Sequence, residues 1–277
     1  MLINQRHAEF SLAYSAEPAQ AGDGAFIFRS GEVLLRAETM ASRIPAWEAV
    51  ADIPLHAPAR HAFTQDGRRY FIAEAVADTP TPDGLNWETV RVFRTLQPET
   101  DAALLLTARH LFNWYQSRNA CCLCSGSVRP HETERALVCD QCGYVNYPSV
   151  LPAVIVAITD NDRLLLARNA QNVFRFFSLI AGFVEVGETA EQAVHREVLE
   201  EVGLRVKNVR YVASQPWGIS QSLMLGFTAE LDGPDTIRLQ ESELAEARWF
   251  TRADVPHNDS TTSIAFDMME RFRLGQL

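Results

Sequence analysis

The sequence predicts an α+β chain in three parts: a β-rich N-terminal domain over residues 1–117 that ends in a helix, a small cysteine ribbon over 118–148, and a mixed strand-and-helix domain over 149–277. Three observations carry this reading. The first hundred residues show short apolar runs broken by turn signals. Four of the five cysteines fall in two CxxC pairs. After Pro148, strand-like runs alternate with one strongly patterned helix. A chain of 277 residues has room for about two domains, each with its own core.

Composition narrows the function classes. Hydrophobic residues at 47% and charged residues at 22% are ordinary globular values, which excludes a disordered or fibrous chain. The longest uncharged apolar run, residues 150–158, is too short to span a bilayer and contains Pro152. The opening MLINQRHAEF lacks the basic-then-apolar layout of a signal peptide. A soluble, cytoplasmic protein without a membrane partner is therefore expected. The formal charge of −10 argues against a long groove that tracks nucleic-acid phosphates. Five cysteines, an odd number, point to metal before disulfides in an intracellular chain.

Along the chain, residues 25–28 and 33–35 flank Arg29-Ser30-Gly31 and read as a hairpin. A second hairpin is marked by Asp66-Gly67 between residues 61–63 and 70–72. Residues 79–84 form a loop and 87–96 a strand. Pro98 opens a helix to about Gln116, with Ala103, Leu104, Leu106, Leu111, Trp114 and Tyr115 as apolar positions. No chemical signature lies in this part, and a scaffold or dimerisation role is expected for it. Strands follow at 154–159, 164–167, 177–181, 209–213 and 223–231, a helix at 190–202, and a closing helix from about 263 to 274. No internal repeat is visible.

Cys121-x2-Cys124, fourteen residues, then Cys139-x2-Cys142 is the spacing of a four-thiolate zinc ribbon. Each CxxC turn presents two sulfurs to one point, and four thiolates leave no open coordination position. One structural Zn²⁺ per chain is expected. Cys122 gives the wrong spacing and reads as a bystander, and His131 as a solvated loop histidine. The ribbon's charges, Arg129, Arg135, Glu132, Glu134 and Asp140, form no basic patch.

The most informative segment runs from residue 182 to 204. Thr189 and Gln192 form a capping box that starts a helix, and Gly203 suits the left-handed position that stops it. At about 100° per residue, Val194, Val198 and Val202 share one face, and Glu197, Glu200 and Glu201 an adjacent arc. A solvated face normally interleaves cations, yet this segment holds six Glu against one Arg, Arg196, a net −5. Clustered carboxylates of this kind suit Mg²⁺ or Mn²⁺, which in turn bind phosphate oxygens.

Gly182-x5-Glu188-x7-Arg196-Glu197-Val198-x-Glu200-Glu201-x-Gly203-Leu204 resembles the Nudix box at every defined position. Chance agreement is on the order of one in 10⁹ per start site. The resemblance implies a mixed-sheet α/β/α sandwich and a hydrolase that cleaves a nucleoside diphosphate linked to another moiety, using two or three bound Mg²⁺ or Mn²⁺ ions. It implies that Glu197, Glu200 and Glu201 hold the metals, with Arg196 orienting the glutamates and Glu188 supporting them. Glu201 or Glu200 would accept a proton from water.

A zinc ribbon directly before such a domain, with a β-rich domain before that, looks like the NAD(H) diphosphatase subfamily. Ser214-Gln215-Pro216-Trp217-Gly218-Ile219-Ser220-Gln221-Ser222 resembles its specificity motif SQPWPFPxS, with Gly218-Ile219-Ser220 where the family has Pro-Phe-Pro. The resemblance implies substrate contacts from Phe183, Gln215, Pro216, Trp217 and Ser222, with Phe183 and Trp217 as stacking faces. It adds Tyr147, Glu134 and Ala265 to the substrate residues, and the Ala181 carbonyl and Glu243 to the metal ligands. The expected reaction splits NADH or NAD⁺ into nicotinamide mononucleotide and AMP, in a homodimer. Alternatives are another nucleoside-diphosphate-linked substrate, including an NAD-capped RNA 5′ end, or a non-catalytic ligand sensor of the same fold.

Overall fold

Hydrophobic strands with turn signals between them build two separate sheets. The computed structural model describes residues 9–37, 42–170, 176–257 and 262–277; most of the N-terminal stretch read for a leader lies outside them. Two units are present. One takes the chain up to Ser149 together with Trp217–Gln221; the other runs from Val150 to Pro216 and from Ser222 to Leu277. Among the described residues, no helix is long and apolar enough to cross a membrane.

The first unit contains β1 (Phe10–Ser11), β2 (Gly24–Arg29), β3 (Glu32–Arg36), β4 (Arg60–Gln65), β5 (Arg68–Glu74), β6 (Leu85–Thr89) and α1 (Glu99–Gln116). They form a sheet in the order β1-β4-β5-β2-β3-β6, with β2 and β5 parallel. Both predicted hairpins are present, pairing Arg29 with Glu32 and Gln65 with Arg68. The pleat sends Phe26, Phe28, Val33 and Leu35 to one core, which includes α1, and Ala25, Ile27 and Leu34 to a second on the opposite face. The strand expected over 87–96 stops at Thr89 and continues as a 3₁₀ turn, Val90–Arg94. That turn brings both Val90 and Phe93 into the core, which continued alternation three residues apart would not do.

The cysteine ribbon belongs to the same unit. Its strands β7 (Val128–Pro130), β8 (Leu137–Cys139) and β9 (Val145–Asn146) form a small sheet in that order. Trp114 of α1, wholly buried, donates through Nε1 to Asn146 Oδ1 at 3.0 Å and ties the ribbon to the helix.

The second unit contains β10 (Leu151–Asp160), β11 (Arg163–Asn169), β12 (Ile180–Phe183), α2 (Ala190–Val202), β13 (Val206–Trp217), β14 (Ser222–Leu231), β15 (Leu244–Thr251) and α3 (Ile264–Arg273). The sheet order is β13-β14-β10-β11-β15, with β12 also paired to β10. The apolar faces of α2 and α3 cover separate cores, so the sheet lies between two helical layers. The strand expected over 177–181 begins later, at Ile180, because Ser178 makes only an isolated bridge to Ala167. β15 was not expected, although Leu244–Thr251 is now seen as an edge strand paired along β11.

The sequence shows no repeat, but the topology does. Strand order β4-β5-β2-β3-β6 matches β13-β14-β10-β11-β15, and the parallel pair β2–β5 matches β10–β14. A bridge from Gly24 to Ala46 stands where β12 pairs β10, followed by a one-turn 3₁₀ helix, Trp47–Ala49, where the second unit has α2. The first unit therefore repeats the sheet without the carboxylate-bearing helix. Strand pairing requires only matching apolar faces, so two sheets can share an order while their sequences share no motif.

Candidate functional site

α2 begins and ends as its sequence dictates. Thr189 Oγ1 accepts from Gln192 N at 3.2 Å, the Gln192 side chain accepts from Thr189 N at 2.9 Å, and Gly203 is left-handed at φ 69°. Val194, Val198 and Val202 are wholly buried. This fixes the rotation of the helix and brings Glu197 and Glu201 to 9% and 6% exposure, with Glu200 on the open side.

Arg196 joins the acidic residues. Its Nε and Nη2 donate to the two oxygens of Glu188 at 2.6 and 2.9 Å, and its Nη1 donates to Glu197 at 2.7 Å and Glu200 at 3.1 Å. Nη2 also donates to the Phe183 carbonyl at 2.9 Å, tying the helix to the end of β12. The two-pronged pairing with Arg196 holds the Glu188 carboxyl down at about 2. Glu197 is shifted the other way, chiefly by burial, against the pull of Arg196.

Glu201 has no cationic partner among the described residues. Burial, and then the charges of Glu197, Glu243 and Glu200, push its carboxyl up to about 8. Opposite the helix, Gly182 on β12 gives Glu197 its place: a Cβ there would stand 2.0 Å from the Glu197 carboxyl carbon. A buried carboxylate in a cradle without a side chain, next to a second one lacking a counter-charge, is a donor set suited to a hard divalent cation.

The sheet supplies the adjoining space. β11 pairs with β10 only at Thr159↔Leu164 and Asp160↔Arg163, and β12 takes β10's edge from Ala153 to Val156. An open cavity of about 470 Å³ at this fork is lined by Glu201, Glu243, Ala181, Asn169, Ser178 and Phe176, among others. A register shift between Arg168 and Asn169 places Asn169 opposite Leu244, and Ala170 N donates to the Glu243 carbonyl at 2.8 Å. Thus Glu243 and Ala181 line the same cavity as Glu201. Asn169, Ser178 and Phe176 were not expected there. They belong to no motif, and the bulge and fork that bring them in are long-range features.

Several expected substrate residues are placed otherwise. Gln215 is fully buried; its Nε2 donates to the Thr262 carbonyl at 3.0 Å and its Oε1 accepts from Ile264 N at 2.7 Å. This amide fastens the start of α3, beside the buried Ala265, and is closed to a ligand. Ser222 is 1% exposed, its hydroxyl against Met224 Sδ at 3.6 Å. Trp217 packs on the core of the first unit, edge-on to Phe93 with ring centroids 5.4 Å apart. Phe183 is half-exposed at the end of β12 and Pro216 is exposed. In the first unit the exposed Tyr147 donates its hydroxyl to Glu134 at 2.7 Å, so these two form a pair of their own.

The four ribbon cysteines converge. Their sulfurs all lie within 4.8 Å of one another, with Cys121–Cys142 at 3.6 Å and Cys124–Cys139 at 3.4 Å. A tetrahedron with Zn–S bonds of about 2.3 Å has edges of about 3.8 Å, so the cluster fits a zinc site. Backbone N–H groups of Cys142 and Gln141 donate to Cys139 Sγ and draw that thiol down to about 6, toward the thiolate that a metal needs. Cys122 is exposed and outside the cluster. His131 Nδ1 accepts from the backbone of Thr133 and Glu134 at 3.3 and 3.2 Å, which makes it a turn-forming residue.

Comparison with known proteins agrees with this geometry. Residues 150–272 match the NUDIX domain, and residues 22–114 match the NADH pyrophosphatase-like rudimentary NUDIX domain. The chain is 47% identical over 146 residues to the NAD-capped RNA hydrolase NudC of Shigella flexneri, covering 53% of this chain and 56% of that protein. It is 46% identical to the protein of the same name from Escherichia coli, with the same coverage. The chain thus spans about half the length of the curated relatives it matches. A NUDIX hydrolase structure from Nitrosomonas europaea superposes with a TM-score of 0.50 at 26% identity, covering 57% of this chain and 92% of that one.

Proposed function

We propose, from the match of residues 150–272 to the NUDIX domain and of residues 22–114 to the NADH pyrophosphatase-like rudimentary NUDIX domain, that the chain is a Nudix hydrolase and that it hydrolyses the pyrophosphate bond of NADH or NAD⁺ to nicotinamide mononucleotide and AMP. The observation that carries the proposal is the buried pair Glu197 and Glu201 on α2, of which Glu201 lines the cavity together with Glu243 and Ala181. Nudix hydrolases depend on divalent metal, and here Glu197, Glu200, Glu201, Glu243 and the Ala181 carbonyl would hold two or three Mg²⁺ or Mn²⁺ ions. When bound, such ions neutralise pyrophosphate oxygens and lower the pKa of water.

The chain's own residues then have distinct tasks. Arg196 holds Glu197 and Glu200 in fixed rotamers, and Glu188 locks Arg196 through its paired hydrogen bonds. The proton released by the attacking water passes to a carboxylate oxygen of Glu200 or Glu201. Cys121, Cys124, Cys139 and Cys142 would hold a Zn²⁺ whose role would be structural, because four sulfurs would leave it no open position. A cytoplasmic homodimer completes the proposal.

A second reading is favoured by one finding, the printed name of the relatives: the same site would cleave an NAD cap from an RNA 5′ end. A panel of NADH, NAD⁺, ADP-ribose, a dinucleoside polyphosphate and NAD-capped RNA, with Mg²⁺ or Mn²⁺, tests both. NADH among the best substrates supports the first reading. A tenfold advantage for ADP-ribose or the dinucleoside polyphosphate overturns both, and a tenfold advantage for capped RNA replaces the first with the second.

A further inference from the structure

The lining of the cavity at the β11–β12 fork is chemically mixed. Glu201 and Glu243 are acidic, whereas Phe176, Ser178 and Asn169 are aromatic or neutral. A cation site needs the carboxylates and gives no reason for the aromatic ring. The ring of Phe176 is backed by Phe266 of α3, with centroids 5.9 Å apart and planes at 55°. An aromatic ring buttressed by another loses little freedom when a ligand ring settles on it. The volume of about 470 Å³ lies within the range of small-molecule sites. Neither expected stacking residue supplies this wall. Trp217 packs on the core of the first unit, and Phe183 does not line the cavity.

We propose that Phe176 is a specificity-determining residue: it is the platform on which the planar ring of one half of a dinucleotide stacks, while the amide of Asn169 and the hydroxyl of Ser178 meet that ring's polar edge. The site would thus select substrates with a heteroaromatic ring next to the pyrophosphate-bearing sugar. This rests on the hydrolase reading, and Phe266 is a positioning residue that acts through Phe176.

The test compares the full-length chain with F176A, F176Y and F266A, with NADH as the varied substrate. F176A is expected to raise KM by about 5- to 100-fold with kcat changed less than about threefold, the loss of one ring-on-ring stack. F176Y is expected to restore KM, and F266A to raise it by a smaller factor. In parallel, NADH binding to the turnover-silenced E201Q chain is compared with binding to E201Q/F176A through the cofactor's own fluorescence. An unchanged KM and unchanged binding in the F176A chains overturn the assignment, as does a loss in kcat alone. If the parent chain cleaves no dinucleotide, the hydrolase reading fails by itself, and the binding pair still decides the role of Phe176.

Discussion

Gly182 and Glu197 occupy nearly the same space: a Cβ on the glycine would lie 2.0 Å from the carboxyl carbon of the glutamate. The strand carrying Gly182 and the helix carrying Glu197 meet with no room for one methyl group. The first glycine of the box motif therefore has a steric role, as the floor beneath a buried carboxylate. G182A is expected to displace Glu197, weaken Mn²⁺ binding, and lower kcat by about 100-fold or more, the usual consequence of a misplacement near 1 Å. Steady-state kinetics and a Mn²⁺ titration check this, with circular dichroism to verify that the fold is retained.

Glu188 tests the supporting layer. It touches Arg196 through two hydrogen bonds and lies one residue before the helix cap. E188Q keeps the shape but removes the charge that fixes the guanidinium. A drop of about 10- to 100-fold in kcat or metal affinity is expected, the range for residues that orient ligands without touching the metal. Equal activity of E188Q and the parent would show that Arg196 is held well enough by Phe183 and Glu197.

The raised carboxyl of Glu201 sets a pH dependence. In the unfolded chain it titrates near ~4.3, and in the folded, metal-free chain at about 8. Between these values the folded state keeps a proton that the unfolded state has released, so stability falls as pH rises through that window and levels off above it. The metal-free Tm is expected to be higher at pH 5 than at pH 8, and E201Q to lose most of that slope. Cation binding must expel the same proton, so calorimetry at pH 7 in buffers of different ionisation enthalpy should register proton release.

The ribbon makes a separate prediction. Metal analysis after dialysis should find about one zinc per chain, retained by the C122S chain and lost from the chain with both Cys139 and Cys142 changed to Ser. Because metal binding at such a cluster is coupled to local folding, zinc removal should lower Tm and open residues 121–147 to proteolysis. A chain that keeps its zinc after the double substitution would refute the four-thiolate site.

Gly218 tests the departure from the family motif. A Cβ there would stand 1.8 Å from the Leu106 carbonyl oxygen, within the first unit. G218A is expected to destabilise the chain by ~1–3 kcal/mol, the range for overpacking against a rigid backbone. The family's proline should cost at least as much. Urea denaturation midpoints for the two variants would measure both.

What could be read from the sequence follows a physical division. The capping box, the apolar stripe of α2 and the convergence of Glu197, Glu200 and Arg196 are relations between residues one to four apart, which helix geometry fixes in advance. The two hairpins and the CxxC turns are equally local. The edge strand β15 is not legible in the sequence because Leu244–Thr251 carries two charged residues, Glu246 and Arg248, and its pairing partner β11 has a register shift between Arg168 and Asn169 that only the folded sheet defines. Gln215 and Ser222 lie in a motif-like segment, yet Gln215 is enclosed by the start of α3, tens of residues away, and Ser222 is paired to Leu151 of β10 across the sheet.

By itself the sequence determined the chemistry available: four thiolates at zinc spacing, and a helix with an acidic arc governed by one arginine. Only the tertiary structure decided which of those groups act together. The β11–β12 fork opened a cavity to Glu201, the bulge carried Glu243 and Asn169 to its wall, and Phe176 came with them. It also withdrew Gln215 and Trp217 into packing. Local spacing is written in bond geometry, whereas strand register and the path of a loop are settled by which distant apolar faces are buried together.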